Sequence, residues 1–321
     1  MKNTFGSDLS LTIFGESHGR AIGAVLDGMA AGVPVDEAFL AACMDKRRAR
    51  GDGLSTPRVE ADAVQFLSGV VNGRTTGTAV ALLIENTNTR SGDYAKTADL
   101  LRPGHADYTA YAKYHGFQDA RGGGHFSGRV TAALVAGGAI VLGALNRAGI
   151  DITTHIAECA GIPDTRFAPD DPALLAAQAE ALASKTEGFA VLDAAVEEPM
   201  KAAIRAAGAE GDSVGGMLET AILGLPAGIG EPYFDSVESE LAHLAFSIPA
   251  VKGIEFGTGF GFAGLRGSEA NDAFRMTPEG CIVTATNHNA GINGGIANGM
   301  PVVFRTAVKP TPSIYKQQDT V

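Results

Sequence analysis

Three groups of residues have types and spacing suited to chemistry. The first is Gly15-Glu16-Ser17-His18-Gly19, which follows the strand-like run Leu11-Thr12-Ile13-Phe14. An imidazole titrates near neutral pH, so His18 at a strand end can act as a general acid or an anion contact, or can simply cap a turn. The second is DKRRARGDGLSTPR, Asp45 to Arg58, which sets five basic residues against two acids. Guanidinium groups match phosphate and carboxylate oxygens two at a time, so Arg47 or Arg48 could clamp an anion; equally, these cations could complement the dipole of a helix end. The third is RPGHADYTAYAKYHGFQDARGGGHFSGR, residues 102 to 129, with Arg102, His105, Lys113, His115, Arg121, His125 and Arg129 in one stretch. Here Arg121-Gly122-Gly123-Gly124 offers backbone N–H groups beside Ser127 and Arg129, ahead of an apolar helical run, which is the composition of an anion site. His105, His115 and His125 recur every ten residues, a spacing that fits neither helix nor strand and lacks a completing carboxylate or Cys, so no metal is expected.

The elements that must position these groups repeat. Gly15 to Gly19 is echoed by Gly211-Asp212-Ser213-Val214-Gly215, and Gly28 to Pro34 is echoed in register by Gly224 to Gly230. A helical pattern follows each (Asp36 to Arg48; Ser236 to Phe246), and then a strand-like segment (Val64 to Val71; Val251 to Phe256). Val214 stands where the first copy has His18, which puts the chemistry in the first half. Between the copies, Pro172 to Lys185 and Pro199 to Ala207 read as exposed helices with Pro in the first turn, and Gly208 as a stop. Val130 to Asn146 reads as a buried helix, too short and too rich in Gly and Ala to span a membrane. Two motifs are decoys: GFGFAG at 259 to 264 matches GxGxxG only formally in a chain with 42 glycines, and the neighbours Ser17 and His18 point apart in an extended segment.

Composition narrows the classes. The chain has 321 residues, a hydrophobic fraction of 45% and a formal net charge of -11. This describes a globular protein with a substantial core and no extended basic face for nucleic acid, so the local cations should serve a small anion. Cys43, Cys159 and Cys281 show no pairing or zinc spacing, and Met1 to Ser10 has no apolar targeting core, which together suggest a cytoplasmic protein.

The segments FGESHG, STPRVEADAVQFLSGVVNGRTTGTAVALLIENTNTRSGDY, RPGHADYTAYAKYHGFQDARGGG and NHNAGINGGIANGMPVVFRTAVKPTPSI resemble chorismate synthase over about Phe14 to Ile314. The resemblance implies an α+β fold of helices sandwiched between antiparallel sheets and internally duplicated. It also implies a single domain over 1 to 321 made of halves at about 1–150 and 205–321, and a homotetramer. The implied activity is a carbon–oxygen lyase, the last common step of the shikimate pathway. It forms chorismate from 5-enolpyruvylshikimate 3-phosphate by anti-1,4-elimination, using reduced FMN, with NADPH a candidate reductant. By the family motifs, His18 would protonate the departing phosphate and His105 would hydrogen-bond the flavin. Ser17, Arg47, Arg102, Ser127 and Arg129 would hold the substrate. His125, Phe126, Ser127, Pro249, Ala250, Gly294, Lys309, Pro310, Thr311, Pro312 and Ser313 would line the flavin site.

The sequence departs from the family pattern at Gly53, where relatives carry an Arg that Arg50 could replace, at Pro249 in place of Asn, and at His125-Phe126 in place of Arg-Ser. Relatives in the family continue past the position of Val321 through a segment with an Arg-x-Asp motif, which this sequence does not contain. Two other classes remain open on these residues: a non-catalytic flavin- or anion-binding remnant, and an FMN-dependent oxidoreductase. His288, in a glycine-rich stretch, is a further candidate ligand contact.

Overall fold

The computed structural model describes residues 2–55, 58–88, 100–185 and 188–321; positions 56–57 and 89–94 of the second family segment lie outside the described residues. The chain forms two compact units, Met1–Arg147 with Pro312–Val321, and Ala148–Thr311.

In chain order the first unit runs β1 (Thr4–Phe5), β2 (Ser10–Gly15), β3 (Ala21–Asp27), α1 (Glu37–Arg47), β4 (Val64–Ser68), the short hairpin β5 (Val70–Val71) and β6 (Arg74–Thr75), β7 (Val80–Glu85), α2 (Asp107–Tyr114) and α3 (Thr131–Arg147). The sheet is antiparallel in the order β1-β2-β3-β7-β4. Strand period two turns Ile22, Ala24 and Leu26 to one face, opposite Ile84, Leu82 and Val80 of β7. Against that face pack Leu40 and Met44 of α1 and the small residues Ala132, Ala133, Ala136 and Ala139 of α3. Each fully buried Leu or Ile there contributes about 1.5–3 kcal/mol. Gly137 lets α3 approach β2, since a Cβ there would stand 2.6 Å from Leu11 Cδ1. The helical span Gly128–Arg147 is longer than the sequence suggested and is long and apolar enough to cross a bilayer by length and composition, but its alanine face is in the middle of this core, as the reading of a buried helix expects.

The second unit runs β8 (Asp151–Cys159), β9 (Ile162–Pro163), α4 (Pro172–Ser184), α5 (Glu197–Ala209), β10 (Gly216–Leu223), α6 (Val237–Ala245), β11 (Val251–Phe256), α7 (Gly267–Ala270), the ribbon β12 (Phe274–Met276) and β13 (Ile282–Thr284), the hairpin β14 (Ile292–Asn293) and β15 (Ile296–Ala297), and β16 (Val302–Val308). Its sheet order is β11-β16-β10-β8-β9, antiparallel throughout. Alternation along the strands covers both faces: Ala221 and Val303 pack with Leu175 and Leu182 of α4, while Ile222 and Val302 pack with Val237 of α6 and with Ile292 and Ala297 of the hairpin. On the α4 side, in line with Ala221 and Val303, runs a cross-strand charge row. Register pairs His155 with Glu219, Glu219 with Arg305, and Arg305 with Glu255. His155 is fully buried, with Nδ1 2.9 Å from Asp164 Oδ2 and Nε2 3.1 Å from Glu219 Oε2.

The units share a strand order. The sequence β2-β3-β7-β4 of the first corresponds to β8-β10-β16-β11 of the second, with α1 and α6 between equivalent strands and a hairpin before each β7 and β16. The glycine echo sits on this correspondence: Gly28 and Gly224 each follow an equivalent strand with φ of +90° and +75°. A Cβ at either would meet a backbone carbonyl, Asp8 O at 1.8 Å or Gly149 O at 2.1 Å.

Three local expectations are corrected. The strand expected over Val64 to Val71 breaks at Gly69, whose φ of +81° ends β4 at Ser68 and turns the chain into the β5–β6 hairpin. The helix expected from Pro199 starts at Glu197 and runs through Gly208 to Ala209; the chain leaves it at Gly211, φ +72°. Neither intervening helix is wholly exposed, since α4 buries Leu175 and Leu182 and α5 buries Met200.

Candidate active site

The loop after β2 and the turn before α3 meet in the first unit. The backbone N–H of buried Ser17 donates to Gly124 O at 3.0 Å. Asn86, just past β7, closes the loop by donating from Nδ2 to Glu16 O and Gly19 O at 3.0 and 2.9 Å. Gly122, Gly123 and Gly124 have φ of +59°, +87° and +55° in succession, a path open only to glycine. The absent side chains let two imidazoles in. A Cβ on Gly122 would stand 2.0 Å from His18 Cε1, and one on Gly123 would stand 3.2 Å from His105 Cε1 and Nε2. The turn that the sequence offered as an N–H donor is thus flanked by both histidines.

Carboxylates hold the cations in place. Arg58, between the loop and β4, donates to Ser17 Oγ at 2.9 Å, to Ser17 O at 3.0 Å and to Glu60 Oε1 at 2.7 Å. Burial would raise Glu60, but hydrogen bonds from Thr87 and Arg58 outweigh it and hold the carboxyl at about 2. Asp62 bridges Arg47, 2.6 Å away, and Arg129. Arg129 is buried and also donates from Nε to Asn86 Oδ1 at 2.9 Å and from Nη2 to Glu85 O. Three of its donor nitrogens therefore brace the strand ends. Arg47 Nε is buried with no acceptor among the described residues. Arg102 and His105 share Asp107, which is held at about 2 because Arg102 outweighs the effect of burial. His18 is shifted down from 6.5 by burial and then by the charges of Arg58 and Arg121, partly offset by Asp119.

The structure joins Ser17, Arg47, Ser127 and Arg129 through hydrogen bonds with Asp62, Asn86 and the two turns, and sets His18 and His105 against the glycine turn, His105 being joined to Arg102 through Asp107. Ser127 Oγ accepts from Arg129 N, capping the turn into α3. His125 lies with Nδ1 2.7 Å from Gly15 O, clamping the glycine turn to the end of β2, while Phe126 leans on Tyr114, ring centroids 6.2 Å apart. In the second unit, Lys309 N donates to Ala250 O at 2.9 Å, so the Pro249-Ala250 and Lys309-Pro310-Thr311 segments lie together; Thr311 O accepts from Ser213 Oγ at 2.7 Å. Gly294 opens the turn of the β14–β15 hairpin with φ +62° and no atom within 4 Å of where a Cβ would be. Pro312 and Ser313 belong to the first unit. His288 is tied down by its own loop, Nδ1 3.2 Å from Ala270 O. GFGFAG forms a 3-10 turn whose Phe260 N–H is taken by Glu255 Oε2 at 3.0 Å; a carboxylate there is incompatible with a bound pyrophosphate.

Sequence reasoning missed Arg58, Glu60, Asp62, Asn86 and Asp107 as parts of this neighbourhood. The available signal was a pair of acids, Glu60 and Asp62, set among small and apolar residues directly after a basic segment.

A family model for chorismate synthase matches residues 9–321. The chain belongs to the chorismate synthase family. A chorismate synthase of Chitinophaga pinensis is 46% identical over 99% of this chain and 84% of its own length. Those of Methanosarcina barkeri and Dehalococcoides mccartyi are 46% and 43% identical, with 85% and 86% of their lengths covered. A chorismate synthase crystal structure matches with a TM-score of 0.78 at 29% identity, covering 95% of this chain and 84% of that one. The fold is accordingly the α+β, antiparallel-sheet fold of chorismate synthase, and the activity is that of this family of carbon–oxygen lyases, which use reduced flavin. Against that family, Gly53 takes a left-handed φ of +77° with open space around it, a conformation in which an arginine would be strained.

Proposed function

We propose that this chorismate synthase carries out the anti-1,4-elimination of phosphate from 5-enolpyruvylshikimate 3-phosphate with the residues gathered around its glycine turn. The observation that carries the reading is the pair His18 and His105 set against one glycine turn, in a unit that also holds Arg47, Arg58, Arg102 and Arg129 on the carboxylates and the serine beside them. A substrate bearing a phosphate and carboxylates matches this set of donors.

FMN is proposed as the cofactor from the family motifs, with matching residues in each unit. Gly294 leaves the space a side chain would fill, Lys309 is a cation for the phosphate, and Ser313 and Thr311 bring hydroxyl groups. By the same motifs His125, Phe126, Ser127 and Pro312 are the proposed flavin contacts of the first unit, and Pro249, Ala250 and Pro310 those of the second. Reduced flavin, when bound, supplies the electron density that stabilises an electron-poor ring as phosphate leaves. The protein's own residues then do the following. Arg47, Arg102 and Arg129, with Ser17 and Ser127, fix the anionic groups. His18 delivers a proton to the leaving phosphate oxygen, an effect worth about 10²- to 10⁴-fold. His105 orients the cofactor by a hydrogen bond. We further propose NADPH as one source of the reducing electrons, a cytoplasmic location and a homotetramer. Assembly is supported by the strongly exposed aromatics Phe117, Tyr233, Phe234 and Phe260.

Anaerobic turnover with chemically reduced FMN tests the reading. Chorismate should appear with the wild-type chain and fall at least about 100-fold with His18→Ala. Flavin binding with no chorismate at any enzyme concentration would instead make this chain a binding remnant.

A further inference from the structure

Asp107 opens α2 and holds the two residues of the proposed site nearest to it in sequence. Its Oδ2 accepts from Arg102 Nε at 2.8 Å and from the Arg102 backbone N–H at 2.9 Å; its Oδ1 accepts from Arg102 Nη2 at 2.7 Å and lies 2.8 Å from His105 Nδ1. Arg102 Nη2 also lies 3.1 Å from the same ring nitrogen, so two proton placements compete. If Nδ1 accepted from Arg102, its lone pair would face a carboxylate oxygen at 2.8 Å, and an ionised carboxylate can only accept. The donor balance therefore puts the proton on Nδ1 and directs it to Asp107. The opposite edge of the ring, Cε1 and Nε2, faces the glycine turn, each atom 3.2 Å from a Cβ built on Gly123.

We infer that Asp107 is a positioning residue for the elimination: it fixes His105 as the Nδ1–H tautomer, turns Nε2 to the glycine turn and braces Arg102 against the same ring. In its neutral form His105 thus presents a lone pair toward the turn, and it becomes a donor there only by taking up a second proton. This rests on the role given to His105 above. A purely structural role is the alternative, since Asp107 also places a negative charge in the first turn of α2, where Ala106 provides no side-chain cap.

The test combines nitrogen NMR of the histidine rings with kinetics on the whole chain. In the wild type, His105 should carry its proton on Nδ1 in the neutral ring. Asp107→Asn, which can offer its amide N–H₂ to Nδ1, should move the proton to Nε2 and lower kcat about 10- to 100-fold, with KM changing much less. Asp107→Glu, which keeps the acceptor, should keep the tautomer and restore part of kcat; it also serves if the Asn variant does not fold. An Nε2–H tautomer in the wild type overturns the assignment, as does a wild-type rate in Asp107→Asn alongside a slow His105→Ala. Full activity of His105→Ala would remove the role of His105 and this assignment together.

Discussion

His18 is surrounded by influences that oppose its protonation. Burial, Arg58 and Arg121 all lower its titration below 6.5, and Asp119 only partly compensates, so in the protein alone it is neutral at pH 7. A general acid in that state needs its proton to arrive with the substrate, and a phosphate dianion beside the ring supplies the compensating charge. In its proposed role, His18 would therefore take up that proton as the substrate binds. Replacing Arg58 by Met should raise the His18 titration, read by NMR on the ligand-free protein, because it removes the charge that lowers it most after burial. An unchanged or lower value would show that Arg58 does not set the ring's charge. His18 was visible in the sequence because its glycine-flanked motif is local. Arg58 was not singled out, because its partner Ser17 is 41 positions away and only the fold brings the two together.

The glycine turn is the element on which the site depends, and its three glycines do different work. At Gly122 the obstacle to a side chain is the His18 ring, 2.0 Å from the built Cβ; at Gly124 it is the backbone, Asp119 O at 2.0 Å. A ring can swing aside, whereas a carbonyl in a tight turn cannot. Gly122→Ala should therefore displace His18 and lower kcat about tenfold or more while the protein stays folded. Gly124→Ala should cost about 3 kcal/mol of stability, measured by denaturant unfolding. The reverse pattern would contradict these placements. The expectation that this stretch bares its donors is corrected, since Gly123 and Gly124 are buried and the Gly123 N–H is taken by Ala120 O; that it forms a tight turn before an apolar helix was legible from its three adjacent glycines. Which imidazole each glycine admits was not, because His18 and His105 arrive from separate segments. The charge row of the second sheet was equally hidden: His155, Glu219, Arg305 and Glu255 sit on four strands whose register no local pattern states. His155→Leu should cost about 3–5 kcal/mol, because it leaves Asp164 and Glu219 buried without the ring that faces both; a loss below about 1 kcal/mol would mean the row is not structural.

Across the whole molecule, two units with one strand order have diverged in chemistry. The position of His18 is Val214 in the second unit, where it packs against a hydrophobic cluster with Met200, and the ionisable groups there brace the fold. Carboxylates in both units are held low: Glu60 and Asp107 at about 2, and Asp119, Asp164 and Asp272 below the usual range. For each, the folded form binds the proton less readily than the unfolded chain. Its contribution is therefore fully present above the unfolded value and is lost as pH falls through the folded one. For Glu60 that window runs from 4.5 down to about 2. Glu60→Gln should thus lower stability by about 2 kcal/mol at pH 7, allowing for screening. The gap to the wild type should narrow below pH 4.5 and nearly close by about pH 2, as the wild-type carboxyl takes up its proton. Denaturant midpoints of both proteins at pH 7, 4 and 2.5 measure it. A gap that stays constant over that range would mean Glu60 holds Arg58, Thr87 and Asn88 by shape rather than by charge, and that acid sensitivity must come from the other carboxylates.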